Sequence, residues 1–240
     1  MTAKSVRFLQ LYPDDMNIYG DWGNTLTLMR RLEWRGYSVE LISYNPGDEF
    51  PEDVDIIVGG GGQDSGQTKI EKDLRMIGPR LKALAENDTP MLVICGLYQL
   101  FGHYFKTRDG VQIDGIGLLD IATVGGNERL IGNIVTSSET FGDIIGYENH
   151  SGLTTLGSNV SPLGTIVKGA GNNGQDSTEG ARYRNVIGTY LHGSLLPKNP
   201  AIADYLILSA LRKKYGVTEL PPLDDTVEAT ARTIAAHRPR

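Results

Sequence analysis

Five short apolar runs, Val6 to Tyr12, Val39 to Ser43, Ile56 to Val58, Met91 to Cys95 and Val186 to Leu191, have the length and composition of strands buried on both faces. Between several of them the apolar spacing becomes helical. Leu26, Met29 and Leu32 mark a helix over Thr25 to Arg35 that stops at Gly36, and Ile77, Leu81 and Leu84 mark another over Ile77 to Glu86. Strand and helix in alternation predict an α/β fold with a mostly parallel sheet flanked by helices and joined by right-handed crossovers. From about Gly115 to Ser161 the pattern changes. Short pieces such as Ile131 to Ser137, and Leu163 to Val167 just beyond, are separated by Gly, Asn and Ser, which predicts an added antiparallel region beside the sheet.

At 240 residues the chain is long enough to bury a large single core, and it has neither an internal repeat nor a convincing linker. The expected division is a main unit over 1–215 and a C-terminal appendage over 216–240, with a last helix from Thr226 to Ala236. A net charge of -6 argues against nucleic acid as a partner, because phosphate neutralisation needs clustered Lys and Arg. The longest basic cluster, Arg212 to Lys214, precedes Gly216 and reads as the last turn of a helix. No window approaches the roughly 18 to 20 continuous apolar residues that span a bilayer, and the N-terminus lacks a hydrophobic signal core. The expected location is the cytoplasm, and a lone cysteine agrees with a reducing compartment.

That cysteine, Cys95, ends an apolar run and is followed by Gly96 and then by residues with the look of a first helical turn. It is either a small buried apolar group or a thiol nucleophile presented at a strand end, where helix amides favour a thiolate. A nucleophile needs a base and an oxyanion hole. Of the four histidines, His192 lies just beyond the run Val186 to Leu191 and before Gly193, at the carboxyl end of a strand, the edge where α/β sheets build sites. His103 is expected on the helix after Cys95, His150 in a polar turn over Tyr147 to Gly152, and His237 in the tail. Gly59 to Gly62 follow another apolar run, so the amides of Gly60 and Gly61, with that of Gly96, are candidates for holding an oxyanion. The same glycines could form a plain turn. Neither a P-loop ending nor a G-x-G-x-x-G spacing is present.

The segment Ile94-Cys95-Gly96-Leu97-Tyr98-Gln99 resembles the nucleophile turn of class I glutamine amidotransferases, which have a flavodoxin-like fold. Joined to Tyr147 to Gly152 and Gly188 to Gly193, it is similar to the cobyric acid synthase-like branch. Asn17 to Asn24 and Gly171 to Gly174 narrow the likeness to the GatD-type glutaminase subunits of lipid II isoglutaminyl synthase. The resemblance covers roughly Val6 to Leu211.

It implies hydrolysis of L-glutamine, with Cys95 as nucleophile and His192 as base, and delivery of ammonia to a MurT-like Mur ligase subunit in a heterodimer. That ligase would amidate the D-glutamate of the lipid II stem peptide. No cofactor is expected in this chain, ATP and Mg being expected on the partner subunit. The common class I pattern has Glu two positions after the histidine, but Ser194 stands there. The GatD-type pattern places an Asp in the N-terminal motif instead, which falls on Asp21; an N-cap for the following helix is the other reading of that residue. Arg129 matches a glutamine-binding position and suits an α-carboxylate, Gln99 is expected to line the pocket or cap a helix, and Leu97 to narrow the nucleophile turn. A glutaminase for a corrinoid amidation, a cysteine peptidase and a non-catalytic scaffold remain as alternatives.

Overall fold

The computed structural model describes residues 4–239; the first three residues of the expected main unit and the last of the appendage lie outside them. Strands β1 (Ser5–Leu11), β2 (Ser38–Tyr44), β3 (Ile56–Gly59) and β4 (Met91–Ile94) pair in parallel, with β12 (Val186–Thr189) parallel to β4. A short β11 (Ala181–Tyr183) closes one edge antiparallel, giving the order β11-β12-β4-β3-β1-β2. Every residue of β3, β4 and β12 is buried, because helices cover both faces of a parallel sheet. Those helices are α1 (Trp22–Glu33), α2 (Asp64–Glu86), α3 (Gly96–Phe101) and α4 (Pro200–Tyr215).

Register decides what shares an edge. Gly59 pairs with Val93, and Ile94 with Thr189, so the segments leaving β3, β4 and β12 emerge side by side at the carboxyl ends of the strands. Gly60 to Gly62, Cys95 and Tyr190 to His192 therefore meet without any long-range folding of loops.

The middle of the chain forms a sheet of its own rather than an extension of the first. Strands β5 (Tyr104–Lys106), β6 (Gln112–Asp114), β7 (Ile121–Ser138), β8 (Gly142–Leu156), β9 (Gly164–Lys168) and β10 (Thr178–Glu179) take the order β10-β9-β7-β5-β6, with β8 on β7. The long β7–β8 hairpin loses register between Gly125 and Leu130, so Arg129 sits in the break of the ladder.

Several expectations change. Helix α2 begins at Asp64, 13 residues before the expected Ile77, and runs through Pro79; burial of Gln67, Ile70, Leu74, Ile77 and Leu81 along one face outweighs the single backbone bond that proline removes. His150 lies within β8 and not in a turn: it pairs with Leu130 across the long β7–β8 hairpin, whose ladder runs on through the polar residues Glu148 and Asn149. His103 lies past the end of α3, in the bend before β5, where Nε2 is 2.9 Å from Asp120 Oδ1.

The last elements are tied down by charge. Helix α4 ends at Gly216 with φ of 69°, and Arg212, Lys213 and Lys214 complement its C-terminal carbonyls. Helix α5 (Thr226–Ala236) packs against β7 and β8. Just before it, Asp225 meets Arg31 of α1 at 2.5 Å, and the same fully buried guanidinium makes two 2.8 Å bonds to Asp204 of α4. Among the described residues no helix is long and apolar enough to cross a membrane.

Candidate active site

Cys95 joins β4 to α3 in a turn with φ of 48° and ψ of -102°, a conformation that costs about 1–3 kcal/mol for a residue with a Cβ. Two bonds hold it there. Its N–H donates to Thr189 O at 2.8 Å, and its carbonyl accepts from Gln99 N at 2.9 Å. Gly96 is required by close approach: a Cβ there would stand 2.8 Å from Met16 Cε and 3.1 Å from Gly62 N. Leu97 points away from the turn and fills the space above Gly59, whose absent Cβ would lie 2.3 Å from Leu97 Cδ1, so it packs and does not narrow the site. The first amides of α3 have no carbonyl within the helix and carry its positive end. A cleft of about 350 Å³ opens over Cys95.

His192 is fully buried beside this turn, its N–H donating to Tyr147 O at 2.7 Å. Its Nδ1 lies 3.3 and 3.2 Å from the two carboxylate oxygens of Asp21, and its Nε2 has no oxygen or nitrogen partner. Burial works to lower the imidazole pKa, but the Cys95 sulfur and the Asp21 carboxylate outweigh it and push the group up to about 10. The imidazole is thus held toward its protonated form between the Cys95 sulfur and the Asp21 carboxylate. Asp21 stands at the N-cap position of α1 but in helical conformation, and its side chain makes no cap hydrogen bond. The N-cap reading gives way to the one that turns it toward His192. Ser194, where the common pattern has Glu, donates from Oγ to Gly20 O at 2.6 Å and ties down the loop that carries Asp21. The Tyr19 ring stands edge-on to His192 at 5.0 Å between centroids.

Gly61 sits where the three groups converge. A Cβ there would lie 2.6 Å from His192 Cε1, 3.2 Å from Asp21 Oδ2 and 3.2 Å from Cys95 Cβ. Gly61→Ala should therefore push the groups apart and lower turnover by about a hundredfold, the cost of an ångström-scale misplacement. Steady-state kinetics beside a thermal melt would check it; activity within a few-fold of wild type in a folded variant would refute the packing argument. The same geometry corrects one expected oxyanion donor: the Gly61 N–H is taken by Asp21 Oδ2 at 2.7 Å. Of the glycines after β3, Gly62 is the one that lines the cleft, close to Gly96 at the start of α3.

Across the cleft, Arg129 donates from Nε to Asn149 Oδ1 at 2.7 Å, and Asn149 Nδ2 donates to Tyr19 Oη at 2.9 Å. This leaves the terminal nitrogens of Arg129 for an anion. Gln99 lines the cleft and caps nothing; it accepts from Gln67 Nε2 at 2.8 Å and donates to Tyr190 Oη at 3.0 Å. His150 is stacked on Tyr190 at 3.5 Å, with Nδ1 2.8 Å from Gly152 O, and burial pushes it down to about 4, so it is neutral. Gly62, Tyr19, Asn149 and Gln67 are among the cleft residues that the sequence does not single out. Tyr19 and Asn149 lie inside segments it had marked, whereas Gln67 belongs to the part of α2 placed outside the helix. Among the described residues, no group of three or more His, Cys, Asp or Glu is arranged to hold a metal ion.

Residues 9–200 match the model of the CobB/CobQ-like glutamine amidotransferase domain. The chain is 39% identical to the subunit GatD of lipid II isoglutaminyl synthase (glutamine-hydrolyzing) from Staphylococcus aureus, covering 94% of this chain and 92% of that one. It is 40% identical to the protein of the same name from Streptococcus pneumoniae, over 90% and 84% respectively. A probable cobyric acid synthase from Methanothermobacter thermautotrophicus is 30% identical over 75% of this chain but only 38% of its own length. In fold, a solved glutamine amidotransferase from Thermotoga maritima superposes with a TM-score of 0.57 at 15% identity, over 96% of this chain and 93% of that one. The chain belongs to the CobB/CobQ-like glutamine amidotransferase family, in the branch of the GatD subunits of lipid II isoglutaminyl synthases.

Proposed function

We propose that the cleft hydrolyses L-glutamine and that the ammonia serves a MurT-like, ATP-dependent ligase which amidates the D-glutamate of the lipid II stem peptide. The observation that carries this reading is the strained Cys95 turn beside the buried His192–Asp21 pair. Cys95 thiolate attacks the side-chain carbonyl carbon, and the amides of Gly62 and Gly96 receive the oxyanion. The C–N bond breaks as His192 gives its proton to the departing nitrogen, leaving a thioester and ammonia. Water then attacks the thioester carbon, His192 takes its proton, and glutamate leaves with the thiolate restored. Asp21 holds the imidazole in place and stabilises its charged form. Arg129 anchors the α-carboxylate.

The relatives that match over most of their length carry the name of a subunit, which supports a partner chain; the reading makes the pair a heterodimer in the cytoplasm, with ATP and Mg on the partner. The corrinoid alternative draws on relatives of which this chain spans about a third. The test is amidation of lipid II by the chain with a MurT-like subunit, ATP and Mg, supplied with either glutamine or ammonium. Wild type should use both. Cys95→Ala should lose glutamine-dependent amidation entirely and keep the ammonium-dependent reaction, and 6-diazo-5-oxo-norleucine should label only wild type. Glutamine-dependent amidation by Cys95→Ala would make the chain a scaffold, and a corrinoid acceptor preferred to lipid II would reassign the pathway.

A further inference from the structure

Gln67, near the start of α2, is buried and takes no part in the chemistry above. Its Nε2 donates twice, to Gly96 O at 3.0 Å and to Gln99 Oε1 at 2.8 Å. The two ends of a side-chain amide are alike in shape, so its neighbours decide which end faces where. A backbone carbonyl can only accept. Gly96 O therefore turns the nitrogen of Gln67 toward α3, and that nitrogen in turn requires the oxygen of Gln99. Gln99 Nε2 is left facing the other way, to Tyr190 Oη at 3.0 Å and to the cleft that Gln99 lines. Tyr190 Oη continues the chain to Thr154 Oγ1 at 2.7 Å. One Nε2–H of Gln99 goes to Tyr190, and an amide has a second. The space beside it exists because residue 152 is glycine: a Cβ there would lie 2.3 Å from Gln99 Nε2.

We propose that Gln67 is a positioning residue that sets the polarity of the Gln99 amide, so that the cleft meets its ligand at this point with N–H donors and selects the carboxylate of an amino-acid substrate. This rests on the glutamine reading above. Gln67 borders the same cleft, but its Nε2 is committed to Gly96 O and Gln99 Oε1 and it makes no bond to His192, so its influence passes through Gln99 into binding more than into the chemical step.

The experiment measures glutamine hydrolysis by the full chain with its synthetase subunit for wild type, Gln67→Met, Gln99→Met and the double variant. Gln67→Met should raise KM about tenfold while kcat stays within about threefold, the pattern of a lost ground-state contact of about 1.4 kcal/mol. The double variant should have the KM of Gln99→Met alone, since a positioning residue is silent once the group it positions is gone. Should Gln67→Met not fold, Gln67→Glu has the same shape, offers acceptors to both partners and should raise KM at least as much. An unchanged KM in the folded variant, or effects that multiply in the double variant, would overturn the proposal. Wild type that releases no ammonia would overturn it together with the glutamine reading, whereas active wild type with an indifferent Gln67 overturns it alone.

Discussion

Asp21→Asn is expected to lower glutamine hydrolysis by about three to four orders of magnitude while leaving the fold intact, because the loss falls on the orientation and charge of His192. The carboxylate accepts from Gly61 N–H and faces the imidazole Nδ1, so it fixes both the loop and the ring. An amide of the same shape supplies one acceptor instead of a charge, and it can present an N–H to the imidazole and so favour the wrong tautomer. A second signature follows from linkage. The His192 pKa stands at about 10 against an ordinary 6.5. A raised value means that the protonated ring contributes stability that is complete below about pH 6.5 and is lost as pH rises through about 10. In Asp21→Asn part of that rise disappears, so melting temperature should fall less steeply between these limits than in wild type. Kinetics and pH-dependent melts on the same preparations check both. Turnover within tenfold of wild type would show that Asp21 is not what orients His192.

Arg31→Ala should be the most destabilising single change outside the apolar core, by about 3 kcal/mol and roughly 10 °C in melting temperature. Arg31 is fully buried and joins three elements, α1, α4 and the segment entering α5. Removing it leaves a void and strips Asp225 of its cation, while Asp204 keeps Arg35 at 2.8 Å. Since Asp204 and Asp225 are about a third exposed, water takes over part of their solvation, which places the loss at the low end for a broken buried pair. The tail should also loosen, so limited proteolysis should cut within 216–240 of the variant before it cuts wild type. A melting temperature within 3 °C of wild type would show that this cluster is solvated rather than structural.

The parallel order of the core strands was legible because β3 and β4 are apolar throughout and separated by helical spacing, which leaves a buried parallel sheet as the economical arrangement. Helix α2 was only half legible. Its first half is polar enough to read as loop, yet burial of one face carries the helix back to Asp64. The strand character of His150 was hidden for a related reason: a polar residue in an amphipathic hairpin has the same local composition as a turn, and only the partner strand distinguishes them.

What the sequence by itself determined is the chemistry available: one cysteine delivered by an apolar run into a glycine turn, and a histidine at the end of another such run. Those positions follow from local pattern, because strand ends and turns are short-range features. Tertiary structure decided which groups surround them. Whether Asp21 caps a helix or faces His192, whether Gly61 offers its amide or gives it to Asp21, and which end of Gln99 meets the cleft all depend on residues far apart in the chain. Hydrogen bonds between such residues are set by packing and by which partner can only donate or only accept, and neither is written in any local stretch of sequence.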